Sequence, residues 1–225
     1  MDSYVMVDGG FLRQRCRDLG LKLRAVDVPY VARQIMKSQG GEHEVYRIYY
    51  YDCPPSAQQV ALPISGAIHN FADDSLYAER MLFLDQLKDC DNVWVREGVL
   101  SFQGWQLRRD CYDRGGNCIV PRLYDENFQP QFEQKEIDTL IALDIAQLAM
   151  ERIVKKLYLI AGDTDFAPAL RLAREKGVQV YLFTLGNKVK QELRANCDIV
   201  VTDPIQVRST KAKEYDEDGE DGRPY

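Results

Sequence analysis

The chain of 225 residues has the composition of an ordinary globular protein, with 45% hydrophobic residues, 28% charged residues and a net charge of −6. This composition excludes collagen-like, fibrous and wholly disordered chains. Its apolar runs are shorter than the roughly 18 to 20 residues that a membrane-spanning helix needs. We therefore expect a cytoplasmic protein without a membrane segment.

The negative charge is concentrated towards the C-terminal end. Residues 214–225 contain six acidic residues and one arginine, which leaves residues 1–213 with a net charge of −1. A segment so rich in charge and so poor in apolar residues cannot form a core. The sequence thus predicts one domain over residues 1–207 and a disordered acidic tail over residues 208–225.

Short apolar runs alternate with stretches of helical period, which is typical of an α/β protein with a parallel sheet. The predicted strands are Tyr4–Val7, Val45–Tyr51, Val93–Val95, Leu157–Ala161, Val178–Phe183 and Ile199–Val201. The predicted helices are Val28–Ser38, Asp74–Leu87, Ile137–Arg152, Asp165–Glu175 and Lys188–Asn196. The fourth and fifth strands are apolar at nearly every position, which predicts burial on both faces at the centre of the sheet.

Two stretches, 53–73 and 100–134, show no clear period and contain five of the nine prolines. We expect irregular loops there, and loops on a rigid scaffold often carry substrate contacts. The six cysteines include no CxxC pair, so free structural thiols are expected.

Acidic residues follow the ends of the predicted strands. Asp8 comes directly after the first strand, and Asp163 and Asp165 follow the strand that ends at Ala161. Asp138 lies in the first turn of the helix that leads into that strand. Because parallel strands end at one edge of the sheet, these four carboxylates are predicted to converge there.

Four carboxylates at one edge repel one another unless a cation neutralises them. Oxygen ligands without a nearby His or Cys favour Mg²⁺ or Mn²⁺ over Zn²⁺. Such a site suits phosphoryl chemistry, in which the metal polarises a phosphate oxygen and lowers the pKa of an attacking water. We predict all four aspartates as metal ligands and catalytic residues, although helix capping is a competing role for Asp165.

Two further aspartates are weaker candidates. Asp52 ends the second predicted strand at the same edge, but the following Pro54 and Pro55 make a turn role equally reasonable. Asp144 lies six residues beyond Asp138, about 9 Å along the helix axis, so a structural or indirect role fits it better.

Five short segments follow one another along the chain in a distinctive order. They are VDGG at Val7–Gly10, YYYDCPP at Tyr49–Pro55, VREG at Val95–Gly98, QKEID with a trailing LIALD at Gln134–Asp144, and AGDTDFAPAL at Ala161–Leu170. Together they resemble the NYN domain, and more narrowly its LabA-like branch within the PIN-like nuclease superfamily. The resemblance implies a PIN-like three-layer α/β fold, metal-dependent ribonuclease activity, and a metal site at the four aspartates. Two positions depart from the family pattern: Phe11 replaces an asparagine and Glu136 replaces a glycine.

Basic residues near the predicted edge are candidates for phosphate contact. Lys135 precedes Asp138 by three residues, and it either meets a phosphate or is a solvated lysine at the helix entry. Arg96, Arg108 and Arg109 either follow a nucleic-acid backbone or are ordinary surface arginines.

The resulting hypothesis is a Mg²⁺- or Mn²⁺-dependent endoribonuclease that acts on single-stranded RNA, with RNA favoured over DNA and a homodimer left open. The alternative is a catalytically weak nucleic-acid-binding or regulatory adaptor with the same fold. A phosphatase acting on a small molecule is a third interpretation. The acidic tail either competes with nucleic acid for a basic surface or only keeps the protein in solution.

Overall fold

The computed structural model describes residues 3–40 and 45–204. The strands within these residues are β1 Ser3–Asp8, β2 Val45–Asp52, β3 Gln59–Ala61, β4 Ile68–Asn70, β5 Val93–Glu97, β6 Val99–Leu107, β7 Phe128–Lys135, β8 Lys156–Ile160, β9 Gln179–Phe183 and β10 Ile199–Val201. The helices are α1 Gly9–Asp18, α2 Asp27–Ser38, α3 Ser75–Lys88, α4 Ile137–Met150, α5 Ala167–Glu175 and α6 Gln191–Ala195.

Six strands form one sheet in the order β10-β9-β8-β1-β2-β5, and every neighbouring pair is parallel. The strands were predictable because their apolar, β-branched and aromatic runs are bounded by turns and helices. All six predicted strands are present, with ends displaced by at most two residues.

Helices cover both faces of this sheet, and each face has its own apolar core. One core joins β1, β2 and β8 to α1, α2 and α3 through residues such as Leu12, Val31 and Leu84. The other packs α4, α5 and α6 on the opposite face through Ile141, Leu170 and Leu193. The predicted three-layer α/β fold is therefore confirmed, and it is consistent with a PIN-like fold.

The sequence pattern missed α1. Its first two residues, Gly9 and Gly10, are poor helix formers and hide the helical period that follows. The helix begins at this point because the Asp8 side chain accepts a hydrogen bond from the Phe11 N–H at 3.0 Å and so caps it. Burial of Leu12 and Cys16 then fixes the helix on the sheet.

The stretch expected to be irregular after residue 100 contains a long antiparallel ribbon of β6 and β7. Its alternation is interrupted by Gly104, which has a φ of 114° next to a register shift, and by Pro130 opposite Trp105. A cluster of Phe71, Phe102, Trp105 and Phe132 holds the ribbon against the small β3–β4 pair. Tertiary packing thus makes strands from residues whose local pattern does not predict them.

The last predicted helix is shorter than expected. Residues 186–190 form a loop, and α6 starts only at Gln191. The helix predicted from Asp165 begins with a short 3-10 turn, Thr164–Phe166, before α5. No helix in the described part of the chain is long and apolar enough to cross a membrane. The predicted boundary at residue 207 and the acidic tail lie outside the described residues.

Candidate active site

The strand order reverses at β1, because β2 lies on one side of it and β8 on the other. In open α/β sheets the ligand crevice lies at such a switch point, beyond the carboxyl ends of the strands. An open cleft of about 550 Å³ occupies this position. Its walls include the carboxylates of Asp8, Asp138 and Asp163.

Asp8 ends β1 and lies at the base of the cleft. Its pKa is raised from 3.8 to about 6, chiefly because burial disfavours the charged carboxylate. The charge of Asp138 adds to this rise, whereas the hydrogen bond from the Phe11 N–H opposes it. Asp8 is therefore both a helix cap and a carboxylate held in an unfavourable electrostatic environment.

Asp138 lies in the first turn of α4 and lines the same cleft as Asp8. Burial raises its pKa, and the charges of Asp163 and Asp165 raise it further. Asp163 caps the turn that follows β8, since its Oδ1 accepts a hydrogen bond from the Asp165 N–H at 3.1 Å. The capping role considered for Asp165 thus belongs to Asp163. Asp165 is exposed and is not part of the cleft wall, although its charge is felt by Asp138.

The three cleft carboxylates take part in none of the ion pairs formed between described residues. The Arg13 charge and two backbone N–H groups favour the Asp8 carboxylate, but its pKa remains raised. A hard divalent cation is the chemical species that oxygen donors of this kind accept. Among residues 3–40 and 45–204, no group of three or more His, Cys, Asp or Glu side chains is arranged to hold a metal ion. Mg²⁺ commonly binds through one or two carboxylates and keeps several waters, so the donor set fits such an ion. The four-aspartate metal site stays a prediction.

The raised pKa of Asp8 predicts that this carboxylate costs the metal-free protein stability at neutral pH. The folded state binds the Asp8 proton more tightly than the unfolded state, so this contribution to stability falls as the pH rises from about 4 to above 6. Asp8→Asn keeps a capping oxygen but removes the charge. In EDTA at pH 7.5 we expect the variant to be more stable than the wild type, by up to about 3 kcal/mol. The gain should vanish near pH 4, as measured by urea unfolding; a gain of the same size at both pH values would contradict this account.

The structure shows the environment of Phe11 and Glu136, the two residues that depart from the family pattern. Phe11 lines the cleft and packs on Gly162 so closely that a Cβ added there would lie 2.6 Å from the Phe11 ring. Glu136 has a φ of 74°, in the left-handed region that favours glycine, and its side chain makes no capping hydrogen bond to α4. The glycine of the family pattern is therefore the less strained choice at this position.

Asp52 lies close to the cleft but has a different environment. Its side chain is fully buried and forms ion pairs with Arg13 and with Arg80, the latter at 2.6 Å. Its Oδ1 also accepts a hydrogen bond from the Cys53 N–H at 2.8 Å. Asp52 is thus a fully partnered carboxylate beneath the site.

Asp144 and Arg96 bind each other. The Arg96 guanidinium donates two hydrogen bonds to the Asp144 carboxylate, at 2.7 and 2.9 Å, and the Tyr51 hydroxyl donates a third at 2.8 Å. This arrangement ties β5, α4 and β2 together. Arg96, which was predicted to follow a nucleic-acid backbone, is therefore partly buried and paired with Asp144.

The other predicted basic residues lie outside the cleft wall. Lys135 is exposed at the end of β7, with its Nζ 4.0 Å from Glu133. Arg108 pairs with Asp110 at 3.4 Å, and Arg109 is exposed beside it, both beyond the end of β6. Their contact with nucleic acid stays a prediction.

The sequence interpretation missed several cleft residues. The amides of Gln14, Gln134 and Asn187 and the side chains of Lys188 and Lys190 line the cleft. Gln14 was hidden because α1 was not predicted, and the lysines were hidden because they were assigned to a helix. For Asn187, Lys188 and Lys190 the available signal was their position in the loop that follows the buried strand β9, at the same edge as Asp8 and Asp163.

Comparison with known proteins bears directly on this site. Residues 97–205 match the family model of the NYN domain. This match supports the interpretation of this chain as an NYN domain protein. NYN domains belong to the PIN-like nuclease superfamily, and the matched NYN segment contains Asp138, Asp163 and both cleft lysines, whereas Asp8 precedes it.

Two curated proteins share short segments with this chain. Uncharacterized protein y4oD of Sinorhizobium fredii is 36% identical over 52 residues, which cover 23% of this chain and 24% of y4oD. Uncharacterized protein MJ0482 of Methanocaldococcus jannaschii is 26% identical over 62 residues, which cover 28% of this chain and 26% of MJ0482. The matches thus span about a quarter of each relative. A crystal structure of a protein of unknown function from Vibrio parahaemolyticus superposes with a TM-score of 0.47 and 18% identity, covering 89% of this chain and 91% of that one.

Proposed function

We propose that this protein is a divalent-metal-dependent ribonuclease that hydrolyses phosphodiester bonds of single-stranded RNA in the switch-point cleft. The observation that carries the proposal is the set of three cleft carboxylates, Asp8, Asp138 and Asp163, whose charges have no ion-pair partner among the described residues. The NYN match over residues 97–205 supports a nuclease as the class of enzyme.

Asp8, Asp138 and Asp163 are the residues that would hold Mg²⁺ or Mn²⁺, with Asp165 acting through water. The bound metal would polarise a phosphate oxygen and lower the pKa of an attacking water. The pKa values of Asp8 and Asp138 are raised because burial and neighbouring carboxylates disfavour the charged forms, so a bound cation would stabilise both carboxylates. Gln14, Gln134 and Asn187 line the same cleft, and a side-chain amide can donate hydrogen bonds to phosphate or ribose oxygens. The amide nitrogens of Gln14 and Gln134 already donate to Asp18 and Asp52.

The test is cleavage of labelled single-stranded RNA and DNA by the full chain with Mg²⁺, Mn²⁺ or EDTA. We expect metal-dependent cleavage of RNA that EDTA abolishes and that Asp163→Asn lowers by at least about 100-fold. Asp91→Asn is the matched control, because Asp91 is an exposed aspartate just before β5, at the opposite end of the sheet. The control variant should cleave RNA as the wild type does.

The other outcomes separate the alternative functions. RNA that binds but stays intact with every metal would contradict the proposal and favour the adaptor. Hydrolysis of mononucleotides without cleavage of oligonucleotides would favour a phosphatase. Cleavage that is insensitive to Asp163→Asn would place the chemistry outside this cleft.

A further inference from the structure

The cleft is lined by basic side chains as well as by carboxylates. Lys188 and Lys190 line the same cleft as Asp8, Asp138 and Asp163, and both lysines are exposed. They take part in no ion pair between described residues. A nucleic-acid cleft whose walls were only acidic would repel its substrate, so the charge of these lysines needs explanation.

The loop that carries the lysines is held in place by the fold. The Thr184 N–H donates to the Val201 carbonyl at 3.0 Å, and the Asn187 N–H donates to the Thr184 carbonyl at 2.8 Å. From the facing helix α1, the Arg15 Nε donates to the Leu185 carbonyl at 3.2 Å. These bonds fix the loop at the carboxyl end of β9, next to the strand that precedes Asp163.

Within this loop, Lys188 and Lys190 both line the cleft. Val189, between them, packs against the apolar core, and Lys190 has an extended backbone with φ −64° and ψ 152°. Packing of Val189 on the core therefore holds the segment in which both flanking lysines line the cleft. The segment 184–190 contains no acidic residue that would neutralise them.

Unlike the cleft lysines, three of the basic residues predicted from the sequence have carboxylate partners. Arg96 is bound to Asp144, Arg108 to Asp110, and Lys135 lies within 4.0 Å of Glu133. An ammonium without a carboxylate partner gains more from a phosphate, because no existing ion pair must be broken.

We propose that Lys188 and Lys190 form a phosphate-binding wall that holds a backbone phosphate neighbouring the one at the carboxylates. This inference rests on the proposed function, and it narrows the substrate class. The cleft accepts an oligonucleotide, which supplies phosphates to both walls, in preference to a mononucleotide. The lysines act as binding and specificity residues, while the reacting phosphate lies at the aspartates.

The test measures binding separately from cleavage. A fluorescent 12-nucleotide single-stranded RNA is titrated with the full chain in EDTA at several salt concentrations, using the wild type and the double variant Lys188→Gln/Lys190→Gln. Loss of this one phosphate contact should reduce the slope of log K against log salt by about 0.7, and affinity at low salt should fall by about tenfold or more. Lys188→Arg/Lys190→Arg should restore binding.

The matched control is Lys155→Gln/Lys176→Gln. Both of these lysines are exposed, and they precede β8 and β9. The control variant therefore removes the same amount of charge at the opposite end of the sheet. An equal loss of slope in the control would show general electrostatic attraction and overturn the proposal. No measurable RNA binding by the wild type at low salt would also overturn it.

A cleavage assay on the same variants separates this proposal from the proposed function. If RNA is cleaved, the double variant should raise KM for the oligonucleotide more than it lowers kcat. Asp163-dependent cleavage with KM and salt slope unchanged in the double variant would overturn the lysine proposal and leave the nuclease standing. Lysine-dependent binding without cleavage by any metal would support the lysine wall while the nuclease proposal failed.

Discussion

Asp52→Asn is expected to destabilise the protein by about 3–5 kcal/mol, the cost of removing one partner from a buried ion pair. The Asp52 side chain has no solvent exposure, and it is the shared partner of the Arg13 and Arg80 guanidinium groups. Burial already lowers the pKa of both arginines, which shows that their charge is unfavourable in this environment. Without the Asp52 charge, two guanidinium groups face each other over a neutral amide.

Urea unfolding of Asp52→Asn and of the wild type in EDTA measures this difference in the free energy of unfolding. Asp91→Asn, which removes an exposed carboxylate, should change the free energy of unfolding by less than about 0.5 kcal/mol. The effect of Asp52→Asn should persist at high salt, because buried pairs are screened little. A loss below about 1 kcal/mol would mean that Arg13 and Arg80 reach water when Asp52 is neutral, and that the network adds little to the fold.

Gly9→Ala is expected to destabilise the protein at the start of α1, next to the cleft. A Cβ at Gly9 would lie 2.6 Å from the Cζ and 2.7 Å from the hydroxyl oxygen of Tyr50. Tyr50 is fully buried, and Arg13 donates a hydrogen bond to its hydroxyl at 3.4 Å, so the ring has little room to move. Relieving the clash must shift either Tyr50 or the start of α1, and Asp8 lies at that start.

We expect Gly9→Ala to lose about 2–3 kcal/mol of stability, even though alanine is the better helix former. Gly10→Ala is the matched control, because its Cβ would meet the side-chain oxygen of the exposed Gln134 at 2.8 Å and Asp8 Oδ1 at 3.3 Å, and no buried ring. The control should lie within about 1 kcal/mol of the wild type by urea unfolding. Equal stability of the two variants would show that the Tyr50 contact relaxes at no cost.

Much of the fold was predictable because its signals are local. The apolar runs of β8 and β9, burying both faces, and the periodic helix α4 are defined by residues adjacent in the chain. The β6–β7 ribbon was not predictable, because Gly104 and Pro130 interrupt its alternation. What makes it a ribbon is the packing of Phe102 and Phe132 on Phe71, a contact between residues far apart in sequence.

In the candidate site, too, some features were predictable from the sequence and others depend on tertiary packing. An aspartate directly after a buried strand marks the ligand edge of a parallel sheet, so Asp8 and Asp163 could be located from the sequence. The sequence could not separate them from Asp52, which ends a neighbouring strand. Only the packing of α1 and α3 brings Arg13 and Arg80 onto Asp52 and leaves the cleft carboxylates without such partners.

By itself, the sequence determined the strands of the sheet and the acidic character of the edge at which they end, since strand periodicity and strand ends are local properties. Only the tertiary structure decided which charges are neutralised within the protein and which remain available. Arg96 is engaged by Asp144, whereas Lys188 and Lys190 line the cleft. The physical reason is that the electrostatic environment of a side chain depends on what packs around it, and in this fold those neighbours come from distant parts of the chain.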